Sequence, residues 1–204
     1  GDNNYNAAIP VDQSLQVLDK LSQGITFNAL PAKTFGDTAF DLTATASSQL
    51  AVSYSSSNTA VATISGSTVT IVGTGTTTIT SSQAGDATFA PAADVPQDLV
   101  VNKAAQDITF NALLAKTFGD AAFDLAATSS SLLAVSYSSS NTAVATVSGS
   151  TVTIVGAGTS TITASQSGND NYLAATSVDQ VLTVNKASQT ITFDAIPAKL
   201  VTDA

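Results

Sequence analysis

The chain has 204 residues and a formal net charge of −9, and its 15 acidic residues are all Asp while its 6 basic residues are all Lys. Because His and Cys are absent, Ser-His-Asp and Cys-His catalysis, disulfides and the usual zinc, haem and iron–sulfur sites are excluded. A strongly acidic chain without Arg is a poor nucleic-acid binder, and no apolar run approaches the roughly 18 residues of a membrane span. We therefore expect no enzyme, no cofactor, no metal, no nucleic-acid partner and no membrane contact in this segment.

An internal repeat of 83 residues organises the chain, because Ile25, Ile108 and Ile191 open the same motif at equal spacing (108 − 25 = 83 and 191 − 108 = 83). Residues 23–105 and 106–188 align without a gap and differ at 23 positions. The start of the chain, Gly1-Asp2-Asn3-Asn4-Tyr5, matches Gly168-Asn169-Asp170-Asn171-Tyr172. Self-similarity at a fixed period is typical of tandem arrays. It predicts the C-terminal end of a preceding repeat at 1–22, whole repeats at 23–105 and 106–188, and the N-terminal strand of a following repeat at 189–204.

Within each repeat, apolar and polar side chains alternate. In the first whole repeat, Phe40 and Leu42 flank Asp41, and Val69 and Ile71 flank Thr70. A period of two is typical of half-buried β-strands, and the abundant Val, Ile and Thr suit a pleated surface. No stretch has the period of an amphipathic helix. Turn-forming residues separate the runs, and the pattern predicts about seven strands per repeat, near 24–30, 39–46, 50–55, 59–64, 67–72, 76–82 and 97–102.

Seven short strands in each repeat predict an all-β fold of tandem immunoglobulin-like β-sandwich domains. The Cys pair and the Trp of antibody domains are missing, and Tyr54 and Tyr137 lie where a third strand would carry its large core residue. The predicted core of the first repeat is therefore apolar and uncrosslinked; it consists of Phe27, Phe40, Leu42, Val52, Tyr54, Val61, Ile64, Val69, Ile71, Ile79, Leu99 and Val101.

The junction between the repeats is short. Residues 101–108 pass from a last strand to a first strand without Gly or Pro. Flexible linkers are rich in Gly and Ser, so this junction predicts a stiff joint.

Several motifs resemble those of a known family. Ala60-Val61-Ala62-Thr63-Ile64-Ser65-Gly66 followed by the run from Thr68 to Thr76 resembles the signature of bacterial Ig-like repeats, and Lys33-Thr34-Phe35-Gly36-Asp37 resembles the opening of a related group. The resemblance covers the whole chain. It implies tandem repeats of large, repetitive cell-surface proteins and adhesins, a stalk or adhesive role outside the cell, and no shared catalytic residues.

Two features could carry catalysis or phosphate binding. Gly73-Thr74-Gly75 and Gly156-Ala157-Gly158 could form phosphate loops, but strands flank them where a phosphate loop needs a following helix, which favours turns. The pairs Asp37/Asp41 and Asp120/Asp124 could act as acid and base. Asp37 follows Gly36 and suits a turn, whereas Asp41 lies on the outward phase of its strand, so structural roles are favoured.

Three further features could bind or be modified. Asn169-Asp170-Asn171 and Asp2-Asn3-Asn4 could ligate calcium, but the middle copy is Asp86-Ala87-Thr88, which favours Asx turns. Isopeptide crosslinks could form at Lys20, Lys103 and Lys186, although charges that protect a strand edge are the favoured interpretation. Asp37-Thr38-Ala39 resembles a bacterial O-glycosylation acceptor, and the second repeat lacks the hydroxyl at Ala121.

The differences between the repeats are concentrated in residues 84–98, which hold 11 of the 23. The segment could be an exposed loop that varies freely, or a contact surface adapted to a neighbour. The aromatic residues available to such a surface, one per repeat, are Tyr5, Phe89 and Tyr172.

The two ends carry strand residues without the rest of a repeat. An isolated strand exposes an apolar face and unpaired backbone groups. We therefore predict inter-repeat strand pairing through Leu15, Val17, Ile191 and Phe193, with an adjacent repeat or a like chain as the partner.

These observations favour a structural protein: an extracellular stalk or filament at the cell surface or secreted, built from tandem Ig-like repeats of a larger bacterial surface protein. Its partners would be like chains or adjacent repeats. The alternative is an adhesive module that binds a glycan or a partner surface.

Overall fold

The computed structural model describes residues 3–11 and 19–197, where strands, turns and bends occur without any helix. The chain divides into two compact units, one up to Asn102 and one from Lys103. Each unit is an all-β, immunoglobulin-like sandwich, and the predicted fold class is thereby confirmed.

Unit 1 contains nine short strands in its described part. One sheet has the order β2-β9-β8-β5, a second has the order β3-β7-β6, and β1 pairs with β4. All pairings are antiparallel except that of β2 with β9, which is parallel and joins Lys33 to Val101 and Thr34 to Asn102. The strands are β1 Ile25–Thr26, β2 Lys33–Thr34, β3 Phe40–Asp41, β4 Thr45–Ala46, β5 Ser53–Ser56, β6 Ala62–Ser65, β7 Thr68–Ile71, β8 Gly75–Ser82 and β9 Val95–Asn102.

Unit 2 repeats this topology. Its sheets have the orders β11-β18-β17-β14 and β12-β16-β15, and β10 pairs with β13. The parallel pair is β11 with β18. The strands are β10 Ile108–Thr109, β11 Lys116–Thr117, β12 Phe123–Asp124, β13 Thr128–Ser129, β14 Ser136–Ser139, β15 Ala145–Ser148, β16 Thr151–Ile154, β17 Gly158–Ser165 and β18 Val178–Asn185.

The core of each unit forms where alternate residues of the strands turn inward. On β8 and β9, Ile79, Leu99 and Val101 are buried while their sequence neighbours face outward. Most of the predicted core residues belong to this cluster, but Val52 is half-buried and lies outside it. The buried hydrophobic residues are Phe27, Leu42, Ala46, Val61, Ala62, Val69, Ile79, Leu99 and Val101 in unit 1, and Ile108, Phe110, Leu125, Val144, Ala145, Val152, Ile162, Ala164, Leu182 and Val184 in unit 2.

A tyrosine on β5 fills the place that the sequence assigned to it. The ring of Tyr54 packs against Phe27 with ring centroids 5.8 Å apart, and its hydroxyl accepts a hydrogen bond from Ala44 N over 2.9 Å. Tyr137 makes the matching contacts with Phe110 and Ala127 N in unit 2. This hydroxyl explains one departure from the predicted strands, because Ala44 N bonds the phenol and the predicted strand 39–46 is split into β3 and β4.

Candidate functional site

In each unit, a short segment ahead of the first strand binds the loop before the unit's own last strand. We call this the leading segment; it comprises residues 20–23 in unit 1 and 103–106 in unit 2. Leu21 forms a parallel bridge with Phe89. Leu21 N donates to Thr88 O over 2.8 Å, and Ala90 N donates to Leu21 O over 2.9 Å. Lys20 Nζ donates to a further backbone carbonyl of the loop, that of residue 86, over 2.6 Å. Part of the variable segment 84–98 is therefore tied to the leading segment of the same unit.

The same arrangement occurs in unit 2 with different side chains. Ala104 N donates to Asn171 O over 2.9 Å, and Leu173 N donates to Ala104 O over 2.8 Å. Lys103 Nζ donates to the backbone carbonyl of residue 169 over 2.7 Å. Lys20 and Lys103 thus bind loop carbonyls, and this bonding role was not predicted when they were interpreted as edge charges.

A glutamine anchors the leading segment in unit 1. Gln23 Nε2 donates to Ala90 O over 2.7 Å and to Gln83 Oε1 over 2.8 Å. Its Oε1 accepts a hydrogen bond from Ser48 Oγ. One side chain therefore connects the leading segment, the turn after β4 and the loop before β9.

The equivalent glutamine in unit 2 is buried. Gln106 is 5% exposed, and its Nε2 donates to Leu173 O and to Gln166 Oε1, each over 2.6 Å. Its Oε1 accepts a hydrogen bond from Ser129 Oγ over 2.7 Å. A buried amide whose donors and acceptor are all engaged is favourable, whereas loss of a partner leaves an unsatisfied polar group.

The loop that receives the leading segment is held by an Asx turn and a glycine. Asp86 Oδ1 accepts hydrogen bonds from Phe89 N and Thr88 N, both over 2.8 Å. These bonds, with a smaller contribution from the positive charge of Lys20, hold the pKa of the Asp86 carboxyl below its ordinary value. Gly85 lies at φ 75°, and a Cβ there would collide with the backbone of Phe89.

Further bonds continue this contact to the other end of the unit. Gln97 Nε2, on β9, donates to Phe27 O over 2.8 Å. The parallel pair of β2 with β9 follows, and Phe35 N donates to Asn102 O over 2.9 Å. We call the whole set of hydrogen bonds between residues 20–35 and 83–102, and the equivalent set in unit 2, the lengthwise seam.

The aromatic residues proposed as a contact surface differ in exposure. Tyr5 is 76% exposed, whereas Phe89 and Tyr172 are half-buried beside the bridges to Leu21 and Ala104. Their backbones therefore lie opposite Leu21 and Ala104 in the parallel bridges, and the contact surface itself stays a prediction.

The candidate catalytic features have structural roles. Asp37 Oδ2 accepts from Thr34 N over 2.9 Å in the turn after β2, and Asp41 Oδ1 accepts from Thr68 Oγ1 over 2.6 Å on the outer face of the sheet. Gly73-Thr74-Gly75 connects β7 directly to β8. Asp37 therefore lies in the predicted turn, and Asp41 lies on the predicted outward phase of its strand.

The Asn-rich loop of unit 2 forms the predicted Asx turn. Asn169 Oδ1 accepts hydrogen bonds from Asn171 N and Tyr172 N, both over 2.9 Å. Residues 3–11 and 19–197 hold no group of three or more His, Cys, Asp or Glu placed to bind a metal. The residues of the other candidate calcium loop include Asp2, which lies outside the described part.

Concave surfaces recur at the same place in both units but are small. A cavity of about 210 Å³ in unit 2 lies between residues 110–114 and strand β12, and one of about 200 Å³ lies between residues 27–31 and β3 in unit 1. Lys116 Nζ and Lys33 Nζ lie over the rings of Phe123 and Phe40 at 4.6 and 4.5 Å.

No helix able to cross a membrane occurs in the part of the chain that the structure describes.

The predicted strand-pairing residues at the ends are only partly described. Leu15 and Val17 lie outside the described residues. Ile191 and Phe193 are 93% and 79% exposed, and their pairing with another repeat stays a prediction.

The residues that sequence reasoning missed are the glutamines. Gln23, Gln106 and Gln97 are polar and follow no apolar period, so burial patterns do not select them. The available signal was their recurrence in both repeats beside a segment that otherwise changes.

No protein-family model matches the chain, and no curated protein matches it. Among solved structures, it is similar to domains 1–6 of the surface layer protein SbsC, at a TM-score of 0.36 and 16% identity over 82% of this chain and 28% of that one. It is also similar to Drosophila N-cadherin EC1–4, at a TM-score of 0.32 and 12% identity over 80% of this chain and 51% of that one. A third similar structure is a C-terminal 282-residue fragment of intimin in complex with the intimin-binding domain of the translocated intimin receptor. Its TM-score is 0.29, and the identity is 19% over 66% of this chain and 51% of that one. The chain thus spans less than a third of the SbsC structure and about half of the other two.

Proposed function

We propose that this chain is part of an extracellular stalk or filament made of tandem immunoglobulin-like repeats of a larger bacterial surface protein. The proposed array has whole repeats at 23–105 and 106–188, flanked by the end of one repeat at 1–22 and the start of another at 189–204. Its partners are adjacent repeats or like chains, and it works at the cell surface or in a secreted filament without catalysing a reaction.

The parallel pairing of the first and last segments carries this proposal. β2 runs parallel to β9 in unit 1, as β11 does to β18 in unit 2. Since the two segments run in the same direction side by side, the chain enters a unit at one end of the sheet and leaves it at the opposite end. Repeats that carry the chain from end to end suit a stalk, because each added repeat adds length.

The surface chemistry also suits a stalk. The outward side chains of β8 are Thr76, Thr78, Thr80 and Ser82. Thr78 Oγ1 donates to Asp98 Oδ1 over 2.8 Å, so part of this polar face is engaged in a hydrogen bond within the unit. Short hydroxyl side chains thus give this face of the sheet a continuous polar surface.

An adhesive module is the second candidate, and the aromatic residues on the varied segment favour it. Tyr5 is exposed, and Phe89 and Tyr172 differ between repeats at matching positions. Aromatic side chains at an otherwise polar surface are frequent anchors of binding interfaces.

The stalk proposal is tested by small-angle X-ray scattering of the 204-residue chain and by immunogold imaging of the parent protein on cells. Because a strand of about ten residues spans roughly 33 Å, two sandwiches and their flanks joined end to end should reach a maximum dimension of about 70 Å or more. A shorter dimension, or label confined inside the cell, would contradict the proposal. The adhesive alternative predicts instead that Tyr5→Ser, Phe89→Ser and Tyr172→Ser together abolish binding to a glycan array.

A further inference from the structure

The lengthwise seam joins two segments that run in the same direction. In unit 1 the parallel bridge of Leu21 with Phe89 lies at its start, and the parallel pair of β2 with β9 lies at its end. The hydrogen bond from Gln97 to Phe27 O lies between them. A pull on the chain ahead of residue 20 and behind residue 102 would slide these segments past each other. The bonds across the seam would then be loaded together in shear.

The seam is built so that the loop sequence can change without loss of its bonds. The loop residues differ between the units at Asp86 and Asn169, at Thr88 and Asn171, and at Ala90 and Leu173. In every case the atom that accepts from the leading segment, or pairs with it, belongs to the backbone.

The side chains that donate across the seam are, by contrast, the same in both units. They are Lys20 and Lys103, Gln23 and Gln106, and Gln97 and Gln180, with bond lengths that agree within 0.2 Å between the units. The donor side chains are thus the same in both repeats, and their backbone acceptors do not depend on which residue carries them. This indicates that both repeats keep the contact between the two segments although the loop sequence differs.

We propose that the lengthwise seam is a load-bearing element, which resists tension applied between the two ends of each repeat. The proposal rests on the stalk function, since a stalk transmits force from its tip to its base. It assigns the resistance to the seam glutamines and lysines, while the core apolar contacts supply equilibrium stability.

The test is constant-force unfolding of single 204-residue chains held at their two ends. Each unit should unfold in a separate step of about 25–30 nm, from 83 residues at roughly 3.6 Å each less the folded length. In a chain with Gln23→Ala and Gln106→Ala, the lifetime of each unit at fixed force should fall about tenfold or more, because the partners of the half-buried Gln23 amide and of the buried Gln106 amide are left without their hydrogen bonds.

A matched control removes buried hydrogen bonds outside the seam. Thr77 and Ser160 are 1% and 2% exposed and accept from Asn58 N and Asn141 N, both over 3.0 Å, in the turn after β5 or β14. A chain with Thr77→Val and Ser160→Ala should lose thermal stability but change its lifetime under force by less than about threefold, since contacts still intact at the barrier do not alter unfolding rates. Equal shortening by both pairs of substitutions, at equal loss of thermal stability, would overturn the proposal.

A second variant guards against misfolding of the glutamine variant. Lys20 and Lys103 are exposed and each donates one seam bond, so Lys20→Met with Lys103→Met keeps the core intact. It should shorten the lifetime under force by about twofold to tenfold, and an unchanged lifetime would also overturn the proposal. Immunogold label inside the cell would refute the stalk while leaving these lifetimes as they are, so the two failures are distinguishable.

Discussion

Replacing Gly85 by Ala should destabilise unit 1 by pushing apart the loop that receives the leading segment. Gly85 has φ 75°, and an added Cβ would overlap Phe89 O and lie 2.8 Å from the carbonyl carbon of Ala90. Both atoms are backbone atoms, so neither can rotate away. Ala90 O is also the acceptor of Gln23 Nε2, and a shift of this loop therefore loosens the seam.

The size of the effect follows from three contributions to the free energy of unfolding. An L-residue in the left-handed region costs about 1–2 kcal/mol, and the reduced freedom of the unfolded chain returns about 0.4–1 kcal/mol. Forced overlap in a packed site adds about 1–3 kcal/mol. The sum, about 1–5 kcal/mol, corresponds to a fall in Tm of about 5–40 °C for a domain of this size.

The chain provides its own control for the strain alone. Gly66 has φ 62° with no atom within 4 Å of an added Cβ, so Gly66→Ala carries the conformational cost without the overlap. Because the two units resemble each other, the clearest comparison is between two double variants. One carries Gly85→Ala and Gly168→Ala, the other carries Gly66→Ala and Gly149→Ala, and the Tm of each is measured by calorimetry. If both pairs lower Tm equally, the loop contact contributes nothing and the reasoning is refuted.

Three other predictions can be checked on the same protein. Tyr54→Phe should cost about 1–2 kcal/mol in urea unfolding, because Ala44 N loses its 2.9 Å partner while the ring remains; no loss would mean that water replaces the hydroxyl. The fold lowers the pKa of Asp86 through the N–H groups of Phe89 and Thr88, so its contribution is fully present above the ordinary value of about 3.9 and is lost as pH falls through the lower, folded value. Between neutral pH and strongly acidic pH, unit 1 should therefore lose more stability in the wild type than in Asp86→Asn, and identical pH profiles would contradict this. Calcium and a chelator should give melting temperatures that agree within about a degree, whereas a shift of about 10 °C would reveal a bound ion.

The strands and the core were accessible from the sequence because burial imposes a period of two on them. Ile79 lies between Thr78 and Thr80, Leu99 and Val101 lie on either side of the exposed Val100, and all three are buried as predicted. The break between β3 and β4 was not accessible, because it depends on a hydroxyl of Tyr54 that reaches Ala44 N from a different strand. The parallel strand β2 has no alternation of its own, since Lys33 and Thr34 are both half-buried.

The candidate site was harder to predict for a related reason. Residues 84–98 differ between the repeats, and this variation favours a free loop or a contact surface. Apart from the side chain of Gln97, which recurs as Gln180, the seam uses the backbone of this segment, which side-chain differences leave unchanged. Gln23 and Gln106, which recur without variation, carry the contact instead. In a tandem repeat, polar residues that recur at non-periodic positions are thus informative.

The motif Ile-Thr-Phe shows how far local sequence decides structure, because it occurs three times with different results. Phe27 and Phe110 are 7% and 6% exposed, whereas Phe193 is 79% exposed.

We expect the amides of residues 191–193 to exchange freely with solvent in the dilute 204-residue chain. When residues 111–188 are appended after Phe193, their protection should rise to that of residues 108–110, because the added strands supply the core that the aromatic ring needs. Burial of Ile191 and Phe193 would then contribute about 3–6 kcal/mol. Hydrogen exchange at several concentrations separates the two partners predicted for this strand: protection that appears only at high concentration in the 204-residue chain indicates pairing between like chains. Protection that requires the appended residues indicates an adjacent repeat, and equal exchange in both chains at every concentration would contradict strand pairing through Ile191 and Phe193.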